Sequence, residues 1–316
     1  MFIVVVYFLC GLAILVAGAE SLVRGSSALS LRLGVTPLVI GLTVVAFGTS
    51  SPELAVSVES ALSGSSSIAI GNVIGSNIAN IGLILGLTAI IRPMQVEKTI
   101  LSRQMPIMIV ISLGLWLLAL DKTLSLFDGI TLVAGLVAYL FYNYRRTSTE
   151  EEPETIEVIP DEAVTLKNRT LACVLLIAAG LAGLVGGGML LVDSAVTMAR
   201  IFSVDEAIIG LTIVAFGTSM PELATSIVAA VRGESDIAIG NIVGSNVFNM
   251  LAILGIASTI HPLSAESFSH FDFVVMVGFA AILLPMAWTS RKLDRVEGSI
   301  LLAGYIAYML YIWPTS

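Results

Sequence analysis

Apolar residues gather along this 316-residue chain into about ten blocks, separated by short polar or glycine-rich breaks. A helix needs roughly 20 such residues to cross a hydrocarbon core of roughly 30 Å. The blocks predict spanning helices over 2–22, 36–60, 68–91, 105–120, 126–143, 171–191, 206–230, 237–259, 271–289 and 297–313. Almost nothing remains for a separate soluble domain. The polar positions inside two stretches repeat: 41–86 is restated by 210–255 after a shift of 169 residues, with about 29 of 46 positions identical. Apolar drift alone would not preserve threonine, serine, proline, glutamate and asparagine in this way.

Composition agrees with the pattern. More than half of the residues are apolar, 12% are charged and the mean hydropathy is +0.99, outside the range of soluble globular chains. The expected fold class is an all-α polytopic membrane protein with two five-helix repeats, 1–143 and 171–316, joined by an acidic linker over 144–170. Glu150, Glu151, Glu152, Glu154, Glu157, Asp161 and Glu162 account for much of the net charge of −8, and a solvated connector explains them. Cys10 and Cys173 fall in apolar spans without metal-ligand spacing and read as packing residues. The first span lacks a basic leader and matches the span at 171–191, so it is expected to be retained.

With the amino terminus outside, thirteen of the fifteen basic residues fall in cytoplasmic loops, leaving Lys122 and Arg200 outside. Basic residues near span ends resist translocation, so both termini are expected to be external and the linker cytoplasmic. Five spans per half is an odd number. The second half therefore enters the membrane from the opposite side, and inverted repeats bring equivalent segments together about an axis in the membrane plane. Glu53 and Glu222 are expected to meet near the midplane.

Each GTS-x-PEL segment sets a proline within a span, where it cannot donate a backbone hydrogen bond and frees a carbonyl, that of Gly48 or Gly217. Helical spacing places Thr49, Ser50 and Glu53 on one face, and likewise Thr218, Ser219 and Glu222. In the GN-x-x-GSN-x-x-N segments, Ser76 and Asn80, and Ser245 and Asn249, are one turn apart. Carboxylates, amide oxygens, hydroxyls and loosened carbonyls form the all-oxygen set that a hard cation such as Ca²⁺ requires. A glutamate at the centre of a membrane helix costs about 2.5–3.5 kcal/mol on insertion scales, and its duplication beside a proline break points to function rather than structure. Glu20, with Arg24 one turn away, reads instead as a local ion pair, and Asp193 as structural. His261 and His270 read as surface residues.

GTSSPEL with GNVIGSN, repeated as GTSMPEL with GNIVGSN, resembles the cation/calcium exchanger superfamily, closest to its prokaryotic Na⁺/Ca²⁺ exchanger branch. The resemblance covers essentially the whole chain. It implies ten spans in two inverted halves, with the second, third, seventh and eighth forming the ion-binding core and the first and sixth sliding against it. Carried over residue by residue, it implies that Glu53 and Glu222 bridge Ca²⁺ with the carbonyls of Thr49 and Thr218. Ser50, Ser76, Ser219 and Ser245, with the carbonyls of Ala46 and Ala215, would flank them as Na⁺ ligands, and Asn80 and Asn249 would be central polar residues. Many relatives carry aspartate at one of those two asparagine positions. Here the core offers two formal negative charges, and K⁺ co-transport is not expected.

The expected activity is secondary antiport of Na⁺ against Ca²⁺ across the plasma membrane, with Ca²⁺/H⁺ exchange on the same fold as the alternative. A channel would need a continuous pore. An intramembrane metalloprotease would need an H-E-x-x-H or paired histidines, which the chain lacks. The expected partners are Ca²⁺, Na⁺ and the lipid bilayer; no enzymatic activity, cofactor, nucleic acid or obligatory protein partner is expected.

Overall fold

The computed structural model describes residues 1–147, 170–202 and 215–312. Most of the acidic linker and the start of the seventh span, 206–214, lie outside the described residues. Ten helical segments follow in order: α1 (Phe2–Leu33), α2 in two limbs (Pro37–Thr49 and Ser51–Leu62), α3 (Ser66–Ile91), α4 (Ile100–Asp121) and α5 (Leu126–Thr147). Then come α6 (Thr170–Ile201), the described part of α7 (Ala215–Gly217 and Met220–Val231), α8 (Ser235–Ile260), α9 (His270–Ser290) and α10 (Arg295–Ile312). Seven of them are long and apolar enough to cross a membrane, and eight when the bent α2 is taken as one span. The chain is an all-α membrane protein.

Burial sorts the helices. The apolar window of α8 is wholly buried and that of α3 is 72% buried, against 22–33% for α1, α4, α5, α6 and α9. The second group presents apolar side chains to lipid, whereas α3 and α8 form the centre. Both central helices loosen into a π-helical turn, at Asn80–Leu85 and Asn249–Ile253, each opening on the asparagine that the repeat places there. Such turns release backbone groups from the regular ladder and recur at functional positions.

Two helices outrun their sequence-based limits. α1 continues from 22 to Leu33 and α6 from 191 to Ile201, giving 32 residues each. At 1.5 Å per residue that is about 48 Å, so a hydrocarbon core of roughly 30 Å is crossed obliquely. The extra turns of α1 are polar yet stay helical because Gly25, Ser26, Ser27 and Ser30 are buried against neighbouring helices.

Glycines let α1 and α6 touch backbone to backbone. A Cβ on Gly11 would lie 2.7 Å from Leu191 N, and one on Gly180 would lie 2.6 Å from Leu22 N. Gly18 and Gly187 repeat the arrangement, at 2.7 Å from Leu184 N and 2.5 Å from Leu15 N. The shift of 169 carries Gly11 onto Gly180, Gly18 onto Gly187, Leu15 onto Leu184 and Leu22 onto Leu191, so the seam lies on the pseudo-two-fold axis. Small residues at this spacing are how membrane helices reach such proximity.

Four two-residue strands were not anticipated for an all-helical chain: β1 (Met94–Gln95), β2 (Thr123–Leu124), β3 (Leu263–Ser264) and β4 (Lys292–Leu293). β1 pairs antiparallel with β4, Met94 opposite Leu293, and β2 with β3, Leu124 opposite Leu263. The same shift converts one pair into the other. Six helices, α4 to α9, separate β1 from β4 and four, α5 to α8, separate β2 from β3, so with α7 taken as a crossing the members of each pair fall on one face of the membrane.

Candidate cation site

The site forms where α2 and α7 break. α2 bends by 47° between its limbs. Ser50 at the break has φ −82° and ψ 8°, and Ser219 in α7 has φ −86° and ψ 5°. Pro52 and Pro221 fall in the first turn of the new helix, where the missing N–H costs nothing because first-turn donors have no intrahelical acceptor. The interruption therefore replaces the clash expected of a proline inside a continuous span.

That break changes which side chains meet. Ser50 Oγ donates to Glu222 Oε1 at 2.9 Å, and Ser219 Oγ donates to Glu53 Oε1 at 3.3 Å. Helical spacing grouped each serine with the glutamate of its own copy; in the structure it serves the carboxylate of the other. Each glutamate is 1% exposed. Because Ser50 lies three residues before Glu53, the two hydrogen bonds gather both carboxylates into one buried site. The asparagines cross in the same manner: Asn80 Nδ2 donates to Asn246 Oδ1 at 2.9 Å, and Asn249 Nδ2 to Asn77 Oδ1 at 3.1 Å. Thr49 Oγ1 donates to Asn241 Oδ1 at 3.0 Å and lies 3.5 Å from Ser245 Oγ.

Among the described residues, four of the buried oxygens that receive no hydrogen bond belong to these side chains: Glu53 Oε2, Glu222 Oε2, Asn80 Oδ1 and Asn249 Oδ1. Each half contributes one carboxylate and one amide oxygen. An acceptor buried without a donor loses its hydration uncompensated, and an anionic one loses far more. The four atoms are hard oxygens, suited to a cation such as Ca²⁺ or Na⁺. Among the described residues no group of three His, Cys, Asp or Glu side chains gathers to hold a metal. The serines are compatible with the same occupant, since a hydroxyl that gives its proton to a carboxylate keeps its lone pairs for a cation.

Of the residues singled out in the sequence, Glu53, Glu222, Ser50, Ser219, Thr49, Ser245, Asn80 and Asn249 are buried; Ser50 bonds Glu222, Ser219 bonds Glu53, Thr49 approaches Ser245, and Asn80 and Asn249 bond Asn246 and Asn77. Ser76 is buried in α3, and the carbonyl of Ala46 accepts the Ser50 N–H at 3.0 Å. Thr218 sits in the turn beside Ser219, and Ala215 opens the described part of α7. Four asparagines escaped sequence reasoning. Asn77 and Asn246 hold the crossing amides. Asn72 Nδ2 donates to Glu53 O at 3.1 Å and Ser57 Oγ at 2.9 Å, and Asn241 Nδ2 repeats this to Glu222 O at 3.4 Å and Ser226 Oγ at 3.1 Å. Their recurrence at the same shift in both copies was the available signal.

Asn241 also reaches Thr49 in the opposite half, and it is fully buried where Asn72 is only partly so. Asn241→Ala should therefore cost about 1–3 kcal/mol by stranding buried partners, and Asn72→Ala less. Thermal unfolding in detergent checks the order; equal losses would remove the distinction.

The model of the family described as sodium/calcium exchanger protein matches residues 3–145 and 172–313. The sodium/calcium exchanger MaX1 of Methanosarcina acetivorans is 32% identical, covering 96% of this chain and 97% of its own. The inner membrane protein YrbG of Escherichia coli is 35% identical, covering 96% and 94% respectively. A solved structure of the sodium-calcium exchanger NCX_Mj, soaked with Na⁺ and Ca²⁺, superposes with a TM-score of 0.86 at 32% identity over the whole of both chains.

Proposed function

Because the chain belongs to the sodium/calcium exchanger family, we propose that it exchanges Na⁺ for Ca²⁺ across the membrane by alternating access. The observation that carries this reading is the set of four partnerless buried oxygens supplied equally by the two halves. Two carboxylates balance one Ca²⁺, so a loaded core moves through low dielectric without net charge, whereas an empty core would hold two bare anions. That difference favours movement of the loaded protein and couples the ions, since a ligand shifts an equilibrium only by its differential affinity for the two states.

In this reading Glu53 and Glu222 bridge Ca²⁺, aided by the carbonyls of Thr49 and Thr218. Ser50, Ser76, Ser219 and Ser245, with the carbonyls of Ala46 and Ala215, serve Na⁺, and Asn80 and Asn249 present amide oxygens between them. The α1–α6 pair shifts against the other helices as the site changes sides. The two units, 1–143 and 171–316, act as inverted halves in the plasma membrane, with both termini outside and the linker in the cytoplasm; the basic loops favour that orientation.

Proteoliposomes loaded with Na⁺ and diluted into Na⁺-free medium should accumulate radiolabelled Ca²⁺, and Na⁺ added outside should abolish the uptake. Uptake that follows an imposed pH gradient and ignores Na⁺ would transfer the assignment to Ca²⁺/H⁺ exchange.

A further inference from the structure

One charged cluster breaks the symmetry of the two halves. Arg232, at the end of α7, donates through Nε to Glu20 Oε2 of α1 at 2.7 Å and through its second fork nitrogen to Oε1, and Arg24 lies 2.9 Å from the same carboxylate. Two residues further along the α7–α8 turn, Glu234 is 3% exposed and accepts the Ser27 hydroxyl at 2.7 Å. The local pair of Glu20 and Arg24 is therefore one edge of a tie that reaches 212 residues along the chain.

The shift of 169 places Met189, Asp193 and Val196 of α6 where Glu20, Arg24 and Ser27 stand, and Ser63 and Ser65 of the α2–α3 turn where Arg232 and Glu234 stand. Neither Met189 with Ser63 nor Val196 with Ser65 can form an ion pair or reproduce the carboxylate contact. A two-fold arrangement would otherwise make the two faces equally easy to open. α1 is welded to α6 along the glycine seam, so a tie on α1 restrains the pair. Near the same turn the first limb of α2 is pressed onto the start of α8, where a Cβ on Gly41 would lie 3.1 Å from Ile237 Cα and 3.2 Å from Asp236 O.

We infer that Glu20, Arg232, Ser27 and Glu234 form a one-sided latch that holds the exchanger closed on the face bearing the α7–α8 turn. The inference rests on the reading that the α1–α6 pair shifts during exchange. Population arithmetic gives its consequence: apparent affinity on a face scales with the fraction of molecules open to it.

The test uses the full chain in nanodiscs and oriented vesicles, with Glu20→Gln, Arg232→Gln, their double variant and Ser27→Ala. Amide exchange at the α7–α8 turn, whose Glu234 N–H bonds Ala229 O, should quicken about five-fold, the scale of a partly exposed ion pair. The α2–α3 turn should not change, and the double variant should exchange no faster than either single one. In vesicles the half-saturating Ca²⁺ concentration should fall on the latched face and rise on the other. Unchanged amide exchange, or shifts of the same sign on both faces, would overturn the latch. Should the parent protein show no Na⁺-driven Ca²⁺ flux, the exchanger reading fails by itself, and amide exchange still decides the latch.

Discussion

Glu53→Gln and Glu222→Gln should each reduce Na⁺-driven Ca²⁺ uptake by at least about 100-fold while leaving the protein as stable as before, or more so. Glutamine keeps the volume of the side chain and can still accept the hydroxyl of Ser219 or Ser50 at the bonded oxygen. It replaces the partnerless oxygen with an amide, which either halves the available charge or turns N–H groups toward the cation. A Ca²⁺ ion would then carry uncompensated charge through a low-dielectric core. Without ions, the same change removes a buried anion whose second oxygen has no donor, so melting in detergent should not fall. Loss of transport together with loss of stability would mark a structural role, and unchanged uptake would end the assignment.

The second large effect is expected at the α1–α6 seam. Gly187→Ala puts a methyl 2.5 Å from Leu15 N and 2.9 Å from Gly11 O, both backbone atoms that cannot rotate away. The helices must separate along their length. The expected loss is about 2–3 kcal/mol, at the upper end of overpacking penalties. Gly186→Ala is the natural control, since a Cβ there meets no atom of the described residues within 4 Å. It should be neutral or slightly stabilising, because alanine is the better helix former by about 0.8–1.0 kcal/mol. Thermal unfolding of the two variants side by side provides the measurement; equal stabilities would mean that the seam is looser than its geometry.

The sequence disclosed the repeat, the two glutamates and the bent spans because each leaves a local trace: duplicated motifs, an acid in an apolar block, a proline in a helix. It concealed the partners. Spacing along a helix assumes that the helix continues, and α2 breaks at Ser50, so the rule that joined Ser50 to Glu53 could not foresee its bond to Glu222. The pair Glu20 with Arg24 was legible as a one-turn contact, whereas Arg232 joins it only through the fold. The lengths of α1 and α6 were hidden for a different reason. The final turns of α1 are too polar to read as membrane helix and are held by burial of Gly25, Ser26, Ser27 and Ser30, while in α6 Asp193 and Arg200 interrupt the apolar block although the helix runs on.

The short strands bear on how such a chain is made. β1 and β2 belong to the first half, yet their partners, Lys292–Leu293 and Leu263–Ser264, lie in the second. During synthesis those edges stay open until the ribosome has passed Ser264 for one pair and Leu293 for the other. Insertion of the early helices can precede the late ones, but the first half completes its turns only when the second arrives to close them.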